Sequence, residues 1–195
     1  MSAPEEEFYS EERWDNWLDR LREEDLDPEE EESARLLLNL QDDVAIAIAK
    51  ILNAYEEDEI DQEETLEEIE DIREVVLSEP DIDDEDLAML VDGVQTSLMS
   101  VFYSAEQYVA EGVANETTAE EYITAAADAE TEEEFDRALG LVACAGTQLI
   151  DGKDLDMSIA EEIEYGYVTE WINGLDSLQS ALSEPEVIEE EDEET

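Results

Sequence analysis

Apolar residues recur at helical spacing from Ser10 to Ser183, helix-start signals precede most of those stretches, and glycine and alternating β-branched runs are scarce. Together these predict an all-α fold. The pattern divides into about seven helices, three or four of them long, in a single-domain bundle over residues 10–183. Residues 1–9 and 184–195 read as acidic tails, the second (EPEVIEEEDEET) with too little apolar content to hold structure of its own.

The first helix is expected over Ser10–Glu23 with Ser10 as N-cap, because Trp14, Trp17, Leu18 and Leu21 fall on one face. A second should open at Asp27-Pro28, an N-cap followed by proline in the first turn, and run about 40 Å to Tyr55. Leu37, Leu40, Val44, Ile48, Ile51, Leu52 and Tyr55 form its inward face. The third, Asp61 to Ser78, carries Leu66, Ile69, Ile72, Val76 and Leu77 and stops ahead of Glu79-Pro80.

The fourth, Asp84 to Glu111, has the most sustained stripe: Leu87, Leu90, Val91, Val94, Leu98, Val101, Phe102, Ala105, Tyr108 and Val109. It is wide enough to touch more than one neighbour, and Gly112 suits its C-cap. Capping boxes at Thr118/Glu121, Thr131/Glu134 and Ser158/Glu161 announce three further helices. In the second of these, Gly140 and Gly146 suggest close approach to another backbone, since a helical glycine costs about 1 kcal/mol relative to alanine. The last helix, to Ser183, keeps Ile163, Tyr167, Trp171, Leu175, Leu178 and Leu182 in phase across Asn173-Gly174, where a kink or split is expected. Cys144, Val94, Leu98, Val101, Leu139, Val142 and Leu175 are expected in the core.

Composition sets the environment. The chain has 63 Asp+Glu against 8 Lys+Arg, a net charge of -55, and Lys50 and Lys153 are the only lysines. Apolar residues still make up 42%, enough to build a core. Such self-repulsion is stressed at low salt and relaxed at molar salt, where the Debye length is only about 3 Å. Such a composition is the one expected of a chain from an organism that accumulates salt in its cytoplasm. MSAPEEEF lacks the charged and apolar regions of a signal peptide, and no stretch of about 18 apolar residues exists, so a cytoplasmic protein without membrane contact is expected.

The absence of histidine removes Ser-His-Asp and Cys-His nucleophile systems, His-ligated zinc and the Glu-x-x-His di-iron bundle. No phosphate-binding glycine loop is present. Cys144 has apolar neighbours and no histidine to activate it, so it reads as a buried small hydrophobe. A calcium-loop frame over 53–64 fails at Tyr55 and Asp58. Nucleic acid is disfavoured because binding it requires cations to displace counterions. Arg13, Arg20 and Arg22 cluster, but Glu12, Asp19 and Glu23 lie beside them for local pairing.

Carboxylate pairs are too common here to mark an acid–base site. No cofactor is expected. Surfaces therefore remain: aromatic clusters at Phe8, Tyr9, Trp14, Trp17 and at Tyr165, Tyr167, Trp171, and the wide stripes of the fourth and seventh helices. The candidate interface for a protein partner or self-association is Trp14, Trp17, Met89, Phe102, Trp171 and Leu178. The leading expectation is a non-enzymatic interaction or regulatory module. Its alternatives are a metal- or small-ligand-binding bundle lined by core-facing acids such as Asp92 and Glu106, a carboxylate-based enzyme and a DNA mimic.

The runs EERWDNWLDRL, ARLLLNLQDD, LVDGVQTSL and EYGYVTEWINGLDSLQSAL together resemble a domain-of-unknown-function family of uncharacterised archaeal proteins, chiefly haloarchaeal. The resemblance covers most of the chain outside the tails. It implies a single all-α domain and carries no catalytic residues with it.

Circular dichroism in about 2–3 M KCl should be mainly helical, and thermal stability should fall as KCl is withdrawn. A strand-dominated spectrum would contradict the fold, and melting indifferent to KCl would contradict the salt-adapted reading.

Overall fold

The computed structural model describes residues 8–24, 26–27 and 29–183. The described residues form seven α-helices and no strand: α1 Glu11–Glu23, α2 Glu31–Glu56, α3 Gln62–Val76, α4 Glu85–Glu111, α5 Ala119–Thr131, α6 Phe135–Ile150 and α7 Tyr167–Ser183. A 3₁₀ turn, Met157–Glu161, sits between α6 and α7. The expected tails at 1–7 and 184–195 lie outside the described residues. Phe8 and Tyr9, assigned to the first tail, instead pack against the core, with Tyr9 buried.

α4 is the central element. It packs against α2, α3, α6 and α7, while α7 in turn meets α2, α5 and α6. One core cluster joins α1–α4 and takes in Ile150 and Leu178; a second joins α5, α6 and α7 around Ile123, Val142, Trp171 and Leu175. A small alanine seam, Ala45 and Ala49 against Ala181, closes α2 onto α7. Because α4 and α7 serve both clusters, the bundle is one domain. Val94, Leu98, Val101, Leu139, Val142 and Leu175 are buried as expected. Cys144 is half-buried instead, its Sγ accepting from Gln107 Nε2 at 3.3 Å.

Several starts carry local caps, those at Ser10 and Thr118 as expected. Ser10 caps α1 by accepting from Arg13 N, and Asp61 and Glu64 form a full capping box at α3. Asp84 caps α4, and Gly112 closes it at φ 85.

Others differ. α2 starts at Glu31 rather than at Asp27-Pro28: the Asp27 carboxylate accepts from Glu29 N at 2.9 Å, closing a turn before the helix, and Ser33 Oγ accepts from Asp27 N. Pro28 itself lies outside the described residues. Thr131 is the last residue of α5, its hydroxyl donating to Ala127 O, so it cannot cap α6. The chain reverses through Glu133 at φ 63, and α6 begins without a side-chain cap. Ser158/Glu161 opens only the 3₁₀ turn, which Asp156 caps. The break therefore falls before Tyr167, and α7 is continuous through Asn173-Gly174.

Gly174 is a packing glycine, not a turn. A Cβ there would sit deep inside the van der Waals radius of the Ser97 carbonyl oxygen on α4. Beside it Ser100 Oγ lies 2.7 Å from Trp171 O, and Gln41 Nε2 of α2 donates to Asn173 O at 3.1 Å. Gly146 makes the equivalent approach of α6 to Ser104 on α4. Gly140, expected to do the same, faces open space.

The two kinds of glycine separate in a melting experiment. Gly174→Ala should destabilise by about 1–3 kcal/mol, because the obstruction is backbone that must shift. Gly140→Ala, exposed in a helix interior, should stabilise by up to about 1 kcal/mol. Equal effects would contradict the packing role of Gly174.

Candidate functional site: an aromatic groove on α4, α6 and α7

The expected interface residues do not share one surface. Trp14, Phe102, Trp171 and Leu178 are buried inside the protein's own core. Trp17 is half-buried, its Nε1 donating to Asp43 at 2.9 Å. Only Met89 stands out, 74% exposed. The stripes of α4 and α7 are wide because α2, α3, α6 and α7 cover the first and α2, α4, α5 and α6 the second, so no surplus surface results for Phe102 or Leu178 to present.

Met89 nonetheless has company. Tyr165 is 84% exposed, Tyr167 52% and Phe135 43%. These side chains line an open groove of about 560 Å³ together with Asp92, Gly93, Thr96, Glu130, Gly166 and Glu170. The groove has an aromatic floor. The Phe135 ring stands edge-on to Tyr167 at 5.4 Å, and Tyr167 stacks on buried Trp171 at 5.9 Å. Tyr167 and Trp171 are four residues apart on α7, the spacing that brings side chains together on a helix.

The start of α7 is fastened by a neighbour. The Glu130 carboxylate, at the end of α5, accepts from Tyr167 N at 2.7 Å and Val168 N at 3.1 Å. A remote side chain thus meets donors that the helix itself leaves unpaired, and a negative charge there also suits the helix dipole. Gly166 gives that carboxylate its space, since a Cβ would collide with Oε1. Thr169 Oγ1 accepts from Gly166 N at 2.9 Å. Tyr165 donates to Glu170 across the groove rim, and this acceptor pushes the Tyr165 phenol above its ordinary value.

The other sequence candidates disperse. Asp92 is exposed on the groove rim, whereas Glu106 lies 14 residues further along α4, about 21 Å at the helical rise. Glu106 meets Arg73 of α3 at 2.7 Å, and burial raises its carboxyl against that cation's opposing pull. The two acids do not converge on one cavity. In the calcium-loop frame, residues 53–56 belong to α2, and the Asp61 and Glu64 carboxylates are taken by the capping box. Local pairing of the arginine cluster holds for Arg22 with Asp19 at 2.8 Å. Arg13 instead crosses to Asp43 of α2, with Nε donating to Oδ2 at 2.8 Å. Arg20 stacks over the Trp17 ring at 5.4 Å.

Sequence reasoning named Tyr165 and Tyr167 as an aromatic cluster, counted Phe135 only in the apolar pattern of the sixth helix, where it is in fact 43% exposed, and missed Glu130. Their signal was faint: a phenylalanine at the first position of a helix, where no buried face yet exists, and an acid at the end of α5 where a cation is the ordinary choice. Removing the remote cap should be measurable. Glu130→Ala should lower stability by about 0.5–2 kcal/mol and speed amide exchange at Tyr167 and Val168. Unchanged exchange there would contradict the capping role.

No curated protein matches the chain, and no solved structure matches it. A family model does, over residues 7–191, which takes in every helix described above. The chain belongs to the family described as uncharacterized protein conserved in archaea (DUF2150).

Proposed function

We propose that this protein is a non-enzymatic protein-interaction or regulatory module of a salt-accumulating archaeal cytoplasm, and that the α4/α6/α7 groove is its docking face. One observation carries the reading. Among the described residues the exposed large hydrophobics are Leu38, Met89, Tyr103, Phe135, Tyr165 and Tyr167, and four of them line this single groove. Scattered exposed apolar side chains need no explanation, but a contiguous set rimmed by polar groups marks an interaction site.

The environment supports apolar docking. At molar salt long-range steering is nearly abolished. An exposed ion pair contributes about 0–1 kcal/mol even before that screening, whereas burying one large apolar side chain is worth about 1.5–3 kcal/mol. Four such side chains outweigh several surface ion pairs. Histidine is absent from the whole chain, which removes the commonest general base and supports a role without catalysis. Among the described residues no group of three or more His, Cys, Asp or Glu is placed to hold a metal ion, so no donor set favours the metal-binding alternative. No helix among them is long and apolar enough to cross a membrane.

The test is a comparative pull-down in molar KCl from a halophilic archaeal lysate, quantified by mass spectrometry. Wild type should enrich one or more proteins that the double variant Met89→Glu, Tyr165→Glu does not, with both proteins equally helical. Both side chains are mostly exposed, so their replacement leaves the core intact. Identical captured sets, or none specific to wild type, would contradict the docking face.

A further inference from the structure

We propose that the groove accepts a cationic side chain, an arginine or lysine carried on an apolar segment of a partner protein. The inference rests on the docking reading above and specifies the chemistry the partner must bring. Its first support is charge complementarity. The titratable acids lining the groove are Asp92, Glu130 and Glu170, and no lysine or arginine lines it. Arg137, two residues from Phe135, is paired with Glu134 at 2.8 Å.

The second support comes from how this molecule treats the same chemistry elsewhere. At the start of α1 a tyrosine ring and a carboxylate also stand together, and there the chain supplies its own cation. The Arg13 guanidinium lies 5.6 Å from the Tyr9 ring centroid and pairs with Asp43. Arg20 covers the neighbouring Trp17 ring. Aromatic faces attract cations through their quadrupole, and guanidinium stacks on them more often than ammonium does. At the start of α7, Tyr165, Tyr167 and Phe135 repeat the combination of rings and carboxylates without an arginine among the lining residues. A partner's arginine would complete there what Arg13 completes at α1.

The charge also argues against the other occupants. A second copy docking by the same face would bring Asp92, Glu130 and Glu170 against their own equivalents, within a pair of chains each at -55. An acidic segment would do the same. Screening at molar salt weakens distant charges but spares contact-distance pairs that are partly shielded from solvent. The cation therefore selects the partner at short range, and the four apolar side chains supply the area it buries.

Nuclear magnetic resonance of the full chain in about 2 M KCl can separate these claims, with three small probes: N-acetyl-arginine amide, N-acetyl-leucine amide and N-acetyl-glutamate amide. The arginine probe should shift the Met89 methyl and the Phe135, Tyr165 and Tyr167 rings saturably, and the glutamate probe should not. Tyr165→Ala should weaken the arginine probe about two- to fivefold, the ratio that losing one exposed cation–π contact produces. Asp92→Asn should weaken it as well, and neither exposed position is needed for folding. Leucine binding at the groove as tightly as arginine would overturn the cationic specificity while leaving the docking face standing. Arginine shifts spread over all acidic faces without saturation would overturn the proposal. So would shifts indifferent to both substitutions. Failure of both the arginine and the leucine probes at the groove would overturn the docking face together with it.

Discussion

The closeness of α7 to α4 sets everything on the groove face. Gly174 removes the one side chain that would hold the helices apart, and the Ser97 carbonyl occupies the place it leaves. The Ser100 hydroxyl and the Gln41 amide then bond carbonyls of α7 at Trp171 and Asn173. About two turns toward the N-terminus from this seam, α7 presents Tyr167 and α4 presents Met89. The helices thus reach the groove running in the same direction. The depth at which α7 is seated decides that Trp171 is buried and that Tyr167, stacked on it, stands half out of the core. A side chain at 174 would lift that stack and widen the groove floor.

A chain with so few cations must satisfy its helix ends by other means. Among the described helices only α1 and α3 have a basic residue in the last turn. Glutamine amides meet several carbonyls at helix ends and in loops. Gln62 donates to Val109 O near the end of α4, Gln95 to Val76 O and Ser78 O at the end of α3, and Gln148 to Ala114 O and Thr117 O in the loop before α5. A neutral donor does this work at any ionic strength, because its contribution does not rest on a long-range field. Three of the arginines also join elements distant in sequence: Arg13 to Asp43, Arg73 to Glu106, and Arg22 to the carbonyl of Asp81. In this light the groove, with no lysine or arginine among its described lining residues, differs from α1, where rings and carboxylate have one.

The all-α class, the order of the helices and most of the buried faces were legible because 3.6-residue periodicity is written locally in each segment. The caps at Ser10 and Thr118 were legible for the same reason, as each uses a residue within four of its donor. What escaped depends on contacts between distant segments. Asn173-Gly174 reads as a turn until Ser97 is seen against it, and Thr131/Glu134 reads as a cap until Thr131 is seen to end α5. Glu130 caps a helix that begins 37 residues later, which no local pattern can show. The candidate site was legible only at Met89, Tyr165 and Tyr167. Trp14, Phe102, Trp171 and Leu178 belong to faces whose apolar width is the same whether a neighbouring helix or a partner covers them.

The most direct test of this account is the proximity of Met89 to the start of α7. A nitroxide on Met89→Cys, with Cys144→Ser to leave a single thiol, reports it through paramagnetic broadening in molar KCl. The amides of Phe135, Tyr165, Gly166 and Tyr167 should broaden strongly. Those around Gln62 and Val109, about 30 Å away along α4, should stay sharp. Sharp resonances at Tyr165–Tyr167 would show that α4 and α7 do not meet as described, and the groove would lose its physical basis.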